Sequence, residues 1–90
     1  MGHAANKGII NDAQDTLEAA QNQSLEQTTL TDLIQASLLP VKEDLENNEQ
    51  LAAALDQLAQ VKMKLEEINT LYQGAMENLS YVTDALNAAG

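Results

Sequence analysis

The sequence contains no cysteine, tryptophan or phenylalanine, and it has a single histidine and a single proline. Without cysteine the chain can form neither a disulfide nor a thiolate metal site. His3 lies near the N-terminus, so the usual general base is missing along with the thiol nucleophile. No glycine-rich phosphate or dinucleotide motif is present. We therefore expect a protein that is not an enzyme and that has no cofactor and no metal site.

Basic residues are also scarce, because four lysines and no arginine face fourteen acids, for a net charge of −10. Such a chain repels nucleic-acid phosphates and anionic lipid surfaces. No apolar run reaches the ~18 residues of a membrane span, and the first residues lack the apolar block of a signal peptide. We predict a cytoplasmic protein that binds neither nucleic acid nor membrane directly, with leaderless secretion as an open alternative.

Leucine, alanine, glutamine and glutamate are abundant, and no glycine occurs between residues 9 and 73. These residues favour helix, and a long stretch without glycine offers the backbone few exits from it. The composition therefore predicts an all-α fold with a small aliphatic core, because ninety residues make one small domain.

The C-terminal half carries an apolar residue at every first and fourth position of a seven-residue repeat. Such a repeat keeps the apolar stripe on one side of a helix, where it packs along another helix. It predicts a long helix over residues 49–88 with a seam of positions a and d. The a positions are Leu51, Leu58, Leu65, Tyr72, Leu79 and Leu86, and the d positions are Ala54, Val61, Ile68, Ala75, Val82 and Ala89.

The N-terminal half is predicted to contain a short tail followed by two helices. Residues 1–8 lack periodicity, which predicts a disordered tail or an added tag. Apolar residues at helical spacing predict a helix over 9–22 and a second over 25–46. Ser24-Leu25-Glu26-Gln27 has the form of a capping box, which favours a helix start or a sharp bend there. Pro40 predicts a kink within the second helix.

A turn is predicted at residues 46–49, with Asn47 as the N-cap of the long helix. Residues 9–90 would then form a single domain. It is either an antiparallel helical hairpin folded at this turn or a small three-helix bundle in which residues 9–22 make a third layer.

The stripe on the long helix is wider than one partner helix covers, because apolar residues also occupy positions e and g. Leu55, Leu71 and Met76 are these side positions. Lys62 and Lys64 border the seam, where charges commonly steer partner choice. Tyr81 points outward and suggests a further contact. The predicted partner-binding residues are Leu55, Leu71, Met76, Lys62, Lys64 and Tyr81.

A wide seam in a chain without catalytic groups predicts a non-catalytic protein–protein interaction module. It would be structural, adaptor or chaperone-like, and it would act through helix packing with a protein partner, a homo-oligomer or both. One alternative is an acidic decoy that inhibits a basic nucleic-acid-binding protein. Another is a small secreted hairpin, because the size and central turn are similar to those of hairpins exported by bacterial secretion systems. One such class has a Trp-x-Gly turn, whereas this chain has Asn47-Asn48.

Overall fold

The structure is a computed structural model that describes residues 3–89, with side chains from Ala4 onward; Met1, Gly2 and Gly90 lie outside the description. Two helices make up nearly all of this range: α1 (His3–Asp44) and α2 (Glu49–Ala89). They pack side by side in opposite directions and form a rod with principal extents of 65 × 15 × 15 Å. Residues 3–89 therefore form an all-α helical hairpin and include no third helix and no strand.

The long C-terminal helix begins at the predicted residue and ends one residue later than predicted. The N-terminal half differs from the prediction, because α1 is continuous through residues 23–25. Ser24 does not cap a helix there. Its hydroxyl donates a hydrogen bond across the hairpin to Asn69 Oδ1 at 2.6 Å. The capping-box prediction was wrong because the same short polar side chain serves equally well as a contact between two helices.

The threonines after Ser24 are accommodated inside α1 without a break. The hydroxyls of Thr28, Thr29 and Thr31 each donate to the carbonyl four residues earlier, at 3.1, 3.4 and 2.8 Å. Such bonds satisfy a β-branched polar side chain within the helix, where it would otherwise compete with the backbone. The hydroxyls therefore remove the local reason for the helix to stop between residues 24 and 31.

Two further predictions concern the ends of α1. Pro40 lies inside the helix, which continues to Asp44, in agreement with the prediction that the helix does not end at the proline. Residues 3–8 are helical, whereas the sequence placed them in a tail; Met1 and Gly2 of that tail are outside the described residues. The chain is consequently one helix from His3 to the turn.

The turn between the helices spans residues 45–48, close to its predicted place. Asn48 rather than Asn47 caps α2, because its Oδ1 accepts a hydrogen bond from the backbone N–H of Leu51 at 2.9 Å. The backbone N–H of Asn48 in turn donates to the Leu45 carbonyl at 3.2 Å. An N-cap side chain satisfies a backbone donor that the first helical turn leaves free. These bonds fold the chain back and bring α2 alongside α1.

Candidate protein-interaction surface

The two helices face each other along one strip on each helix, which we call the covered seam. Its residues recur at alternating steps of three and four, as expected for helices packed over many turns. On both helices they occupy positions a and e of the heptad, with Ile10 as a in α1 and Leu51 as a in α2. All residues of the covered seam are buried or half-buried, and Lys62 keeps its charged end at the rim. In α1 the covered seam consists of Ile10, Gln14, Leu17, Gln21, Ser24, Thr28, Thr31, Gln35 and Leu38. In α2 it consists of Leu51, Leu55, Leu58, Lys62, Leu65, Asn69, Tyr72, Met76, Leu79, Thr83 and Leu86.

The centre of the covered seam is polar. Asn69 accepts from the Ser24 hydroxyl at 2.6 Å and donates from Nδ2 to Thr28 Oγ1 at 3.2 Å. Ser24 and Thr31 are buried, at 7% and 6% exposure. Among the described residues Leu65 is the one apolar side chain that is buried to this degree. The contact between the helices is therefore held partly by hydrogen bonds, which demand a particular register.

Two contacts at the rim of the covered seam fix the same antiparallel register. Gln21 donates from Nε2 to Gln73 Oε1 at 3.2 Å. Lys62 Nζ lies 2.8 Å from Asp32 Oδ1, and this is the one ion pair found within residues 4–89. The hydrogen bond and the negative charge of Asp32, with a smaller contribution from Glu66, raise the pKa of Lys62. The pair is solvent-accessible, so its contribution to stability is small.

Position d of α2 is not part of the covered seam, which corrects the predicted a/d packing. Val61, Ile68 and Val82 are 43%, 40% and 41% exposed. Position e takes the place of d because Asn69 and Lys62, both at e, make the contacts with α1. A repeat of seven residues is compatible with either choice, since d and e flank a on opposite sides of the helix. The side chains of α1 decide between them.

Eight of the fourteen exposed large apolar side chains of the described residues occupy positions d and g of the two helices, and we call this surface the uncovered face. The other six are Leu25, Leu33, Leu39, Leu45, Met63 and Tyr81. Antiparallel helices that share an a/e seam carry their d and g positions on the same side of the pair. A groove lined by Ala20, Gln23 and Gln27 of α1 and Ile68 of α2 demonstrates this. The large apolar members of the uncovered face, between 38% and 72% exposed, are Ile9, Leu30, Ile34 and Val41 of α1 and Val61, Ile68, Leu71 and Val82 of α2.

The acidic residues avoid both the covered seam and the uncovered face. No acid occupies position a, d or e of either helix, although the net charge is −10. Apart from Asp44 at the end of α1 and Glu46 in the turn, all of them point outward at b, c or f. These outward acids are Asp12, Asp15, Glu18, Glu26, Asp32 and Glu43 in α1, and Glu49, Asp56, Glu66, Glu67, Glu77 and Asp84 in α2.

The predicted partner-binding residues fall in three places. Leu71, 72% exposed, and Lys64 lie at position g and belong to the uncovered face. Tyr81 is 70% exposed at position c, on the outer side of α2. The remaining residues lie at position e on the covered seam, so α1 partly covers them and they do not join Leu71. These seam residues are Leu55, Lys62 and Met76.

Most of the uncovered face was not predicted from the sequence. Leu30, Ile34 and Val41 belong to the apolar residues at helical spacing that predicted the helix over 25–46, and they are 49%, 47% and 38% exposed. A signal was present in the sequence, because positions a and e of α1 between residues 14 and 35 are mostly neutral and polar. A strip of small hydroxyl and amide side chains free of charge marks a place where two helices meet through hydrogen bonds.

The described residues show neither a metal-binding cluster nor a membrane-spanning helix. No three His, Cys, Asp or Glu side chains within this range converge as metal ligands would. Neither α1 nor α2 is long and apolar enough over its described length to cross a membrane. The chain matches no protein-family model, and no curated protein and no solved structure matches it. The uncovered face is therefore the feature from which a function can be argued.

Proposed function

We propose that this chain is a non-catalytic interaction module that packs its uncovered face against the helices of another polypeptide. The observation that carries the proposal is the position of the large apolar residues. Ile34, Val61 and Ile68 lie beside one another along the rod and are 47%, 43% and 40% exposed, while the covered seam is polar at its centre. An exposed surface that groups large apolar residues is typical of a protein–protein contact.

The distribution of charge supports the same proposal. Lys64 is the one charged residue of the uncovered face away from the turn, and the acids point outward. Desolvating a charge is costly, so a surface meant for helix packing excludes charges from its centre. The acidic outer surface would keep the assembled particle hydrated while the uncovered face is buried.

Site-specific photocrosslinking in the cells of origin tests this proposal without assuming a partner. A benzoylphenylalanine at Leu71 samples the uncovered face. The matched control at Met63 samples a side chain of similar exposure, 63% against 72%, on the outer side of the same helix. We expect a covalent adduct with a polypeptide at position 71 and none at position 63. Equal adducts at both positions, or none at position 71, would contradict the proposal.

A further inference from the structure

We propose that the polypeptide covering the uncovered face is a second copy of this chain, packed face to face with its turn at the opposite end of the rod. The result is a two-fold symmetric four-helix bundle. The inference rests on the proposed function and adds the identity and orientation of the partner.

The exposed area of the chain fits an association of two copies. A folded monomer of this mass is expected to expose about 5,100 Å². The chain exposes 6581 Å². The surplus of roughly 1,500 Å² includes the extra surface of a rod of 65 × 15 × 15 Å, and it exceeds the ~800 Å² that each partner buries in an interface of standard size. The exposed area is therefore sufficient for an interface of standard size between two copies.

A second copy can also contact the uncovered face without bringing the acids of the two chains together. Each chain carries −10, so two copies repel one another wherever their acids meet. The acids at positions b, c and f surround every side of the rod except the uncovered face. Two copies can thus approach closely through this face while their acids remain in water, where salt screens them.

The order of side-chain sizes along the uncovered face selects the orientation. The register set by Gln21–Gln73 and Asp32–Lys62 places the d residues of the two helices in successive layers at equal heights. From the turn to the open end these layers are Val41 with Ala54, Ile34 with Val61, Gln27 with Ile68, Ala20 with Ala75, and Ala13 with Val82.

The layer of Gln27 and Ile68 is the middle one. If a two-fold axis passes through it, the large Ile34–Val61 layer of one copy meets the small Ala20–Ala75 layer of the other. Facing large and small layers fill a core at normal density. With both turns at the same end, alanines would face alanines and leave a void. The opposite-end arrangement therefore packs better.

The surface near the alanine layers has room for this insertion. A shallow groove of about 550 Å³ lies there, lined by Ala13, Thr16 and Ala20, floored by Leu17 and Leu79, and bordered by Asp12. Its Ala20 edge lies at the height that the two-fold axis brings opposite Ile34 of the other copy. Contact of Ile34 with this edge removes apolar surface of both copies from water.

The charges of the turn favour the same orientation. Residues 42–49 contain Lys42 and four acids, whereas Lys7 lies near the open end. Placing the two turns together would bring like charges close, and opposite ends separate them by far more than a Debye length of about 8–10 Å.

Light scattering and a distance measurement on the purified full chain test the inference. We expect twice the mass of the 9.7 kDa chain. The chain has no cysteine, so Asn47→Cys places a single spin label at the turn of each copy. Pulsed dipolar spectroscopy should give a separation of about 60 Å between the two labels, twice the distance from turn to axis at 1.5 Å per residue. Turns at the same end would give roughly 20 Å.

A size exchange between layers supplies a second test. Ala75→Leu enlarges the small layer and should weaken the dimer by at least about tenfold, because overpacking displaces its neighbours. Adding Val61→Ala on the same chain should restore most of the affinity. Within one hairpin these residues are fourteen positions apart on α2, or about 21 Å, so the rescue must act between copies. Circular dichroism checks that both variants stay helical.

The outcomes separate this inference from the proposed function. A monomeric mass at high concentration, a short label distance or the absence of rescue would each overturn the inference. If the photocrosslink at position 71 nevertheless captures a different polypeptide, the proposed function stands and its partner is that polypeptide. If no crosslink forms there, the proposed function fails as well.

Discussion

The covered seam and the uncovered face run side by side along the same two helices, and they differ most at the centre of the rod. At the seam's centre Ser24, Thr28 and Asn69 form hydrogen bonds. On the uncovered face, Ile34 and Ile68 at comparable heights remain 47% and 40% exposed. At the centre of the rod, hydrogen-bonded polar side chains are thus covered by the hairpin, while large apolar side chains at similar heights remain exposed.

Polar and apolar side chains contribute to the structure in different ways. Hydrogen bonds between buried polar groups are modest in net strength but costly to leave unmade, so they specify the register of the two helices. Apolar side chains contribute more free energy when buried but little directional preference. The central polar contacts accordingly fix the register of the hairpin, and the large apolar residues at positions d and g remain exposed in the single chain.

The largest expected effect comes from removing the one buried apolar side chain of the seam. Leu65 is 7% exposed, so Leu65→Ala should lower the free energy of unfolding by roughly 2–3 kcal/mol. Leu71 is 72% exposed on the neighbouring surface, and Leu71→Ala should change the stability of the isolated hairpin by under about 0.5 kcal/mol. Urea unfolding at the lowest usable concentration measures both. Similar losses would mean that the two surfaces are not distinct in the single chain.

An intermediate effect is expected when the polar centre loses a donor. Ser24→Ala leaves Asn69 Oδ1 without its hydrogen bond and should cost about 1–2 kcal/mol. The control is Ser37→Ala, since the exposed Ser37 hydroxyl donates only to the Leu33 carbonyl of its own helix. Thermal unfolding of the two variants provides the comparison. An unchanged midpoint for Ser24→Ala would show that the central hydrogen bonds do not hold the seam.

The smallest effect concerns the ion pair at the rim. Asp32 raises the pKa of Lys62, so the pair stabilises the folded state fully below the ordinary lysine pKa of about 10.4. That contribution disappears as the pH rises through the higher folded-state value. Lys62→Met removes the ion pair, so the stability of this variant should fall slightly less than that of the wild type as the pH rises. Lys64→Met keeps the ion pair, so its stability should fall as in the wild type. Unfolding midpoints between pH 9 and 11 compare the two variants; identical profiles would contradict a role for the pair.

Much of the fold could be predicted from the sequence. The turn near residues 46–49 and the helix that follows it depend on local signals, namely asparagine capping and helix-forming residues, which act within a few positions. A helix start at Ser24 was predicted on the same kind of signal and was wrong, because α1 is continuous there. A serine followed by glutamate and glutamine suits a helix start locally, but the partner across the hairpin used that hydroxyl instead.

The candidate surface was predictable only in part. Leu71 was identified as a residue that the first half of the chain leaves uncovered, and it is 72% exposed. Leu55 and Met76 were grouped with it because all three flank the a positions. They lie on the opposite flank, and α1 covers that side. The sequence of one helix does not indicate on which side of its a positions the partner helix packs.

The sequence by itself determined that this protein is helical and acidic, with a turn near residues 46–49, because helix propensity, capping and heptad spacing are local properties. Only the tertiary structure decided that α1 packs on positions a and e. That choice depends on which side chains of the two halves meet, and Ser24, Thr28 and Asn69 satisfy one another only in this register. The apolar d and g positions consequently became the surface available to a partner.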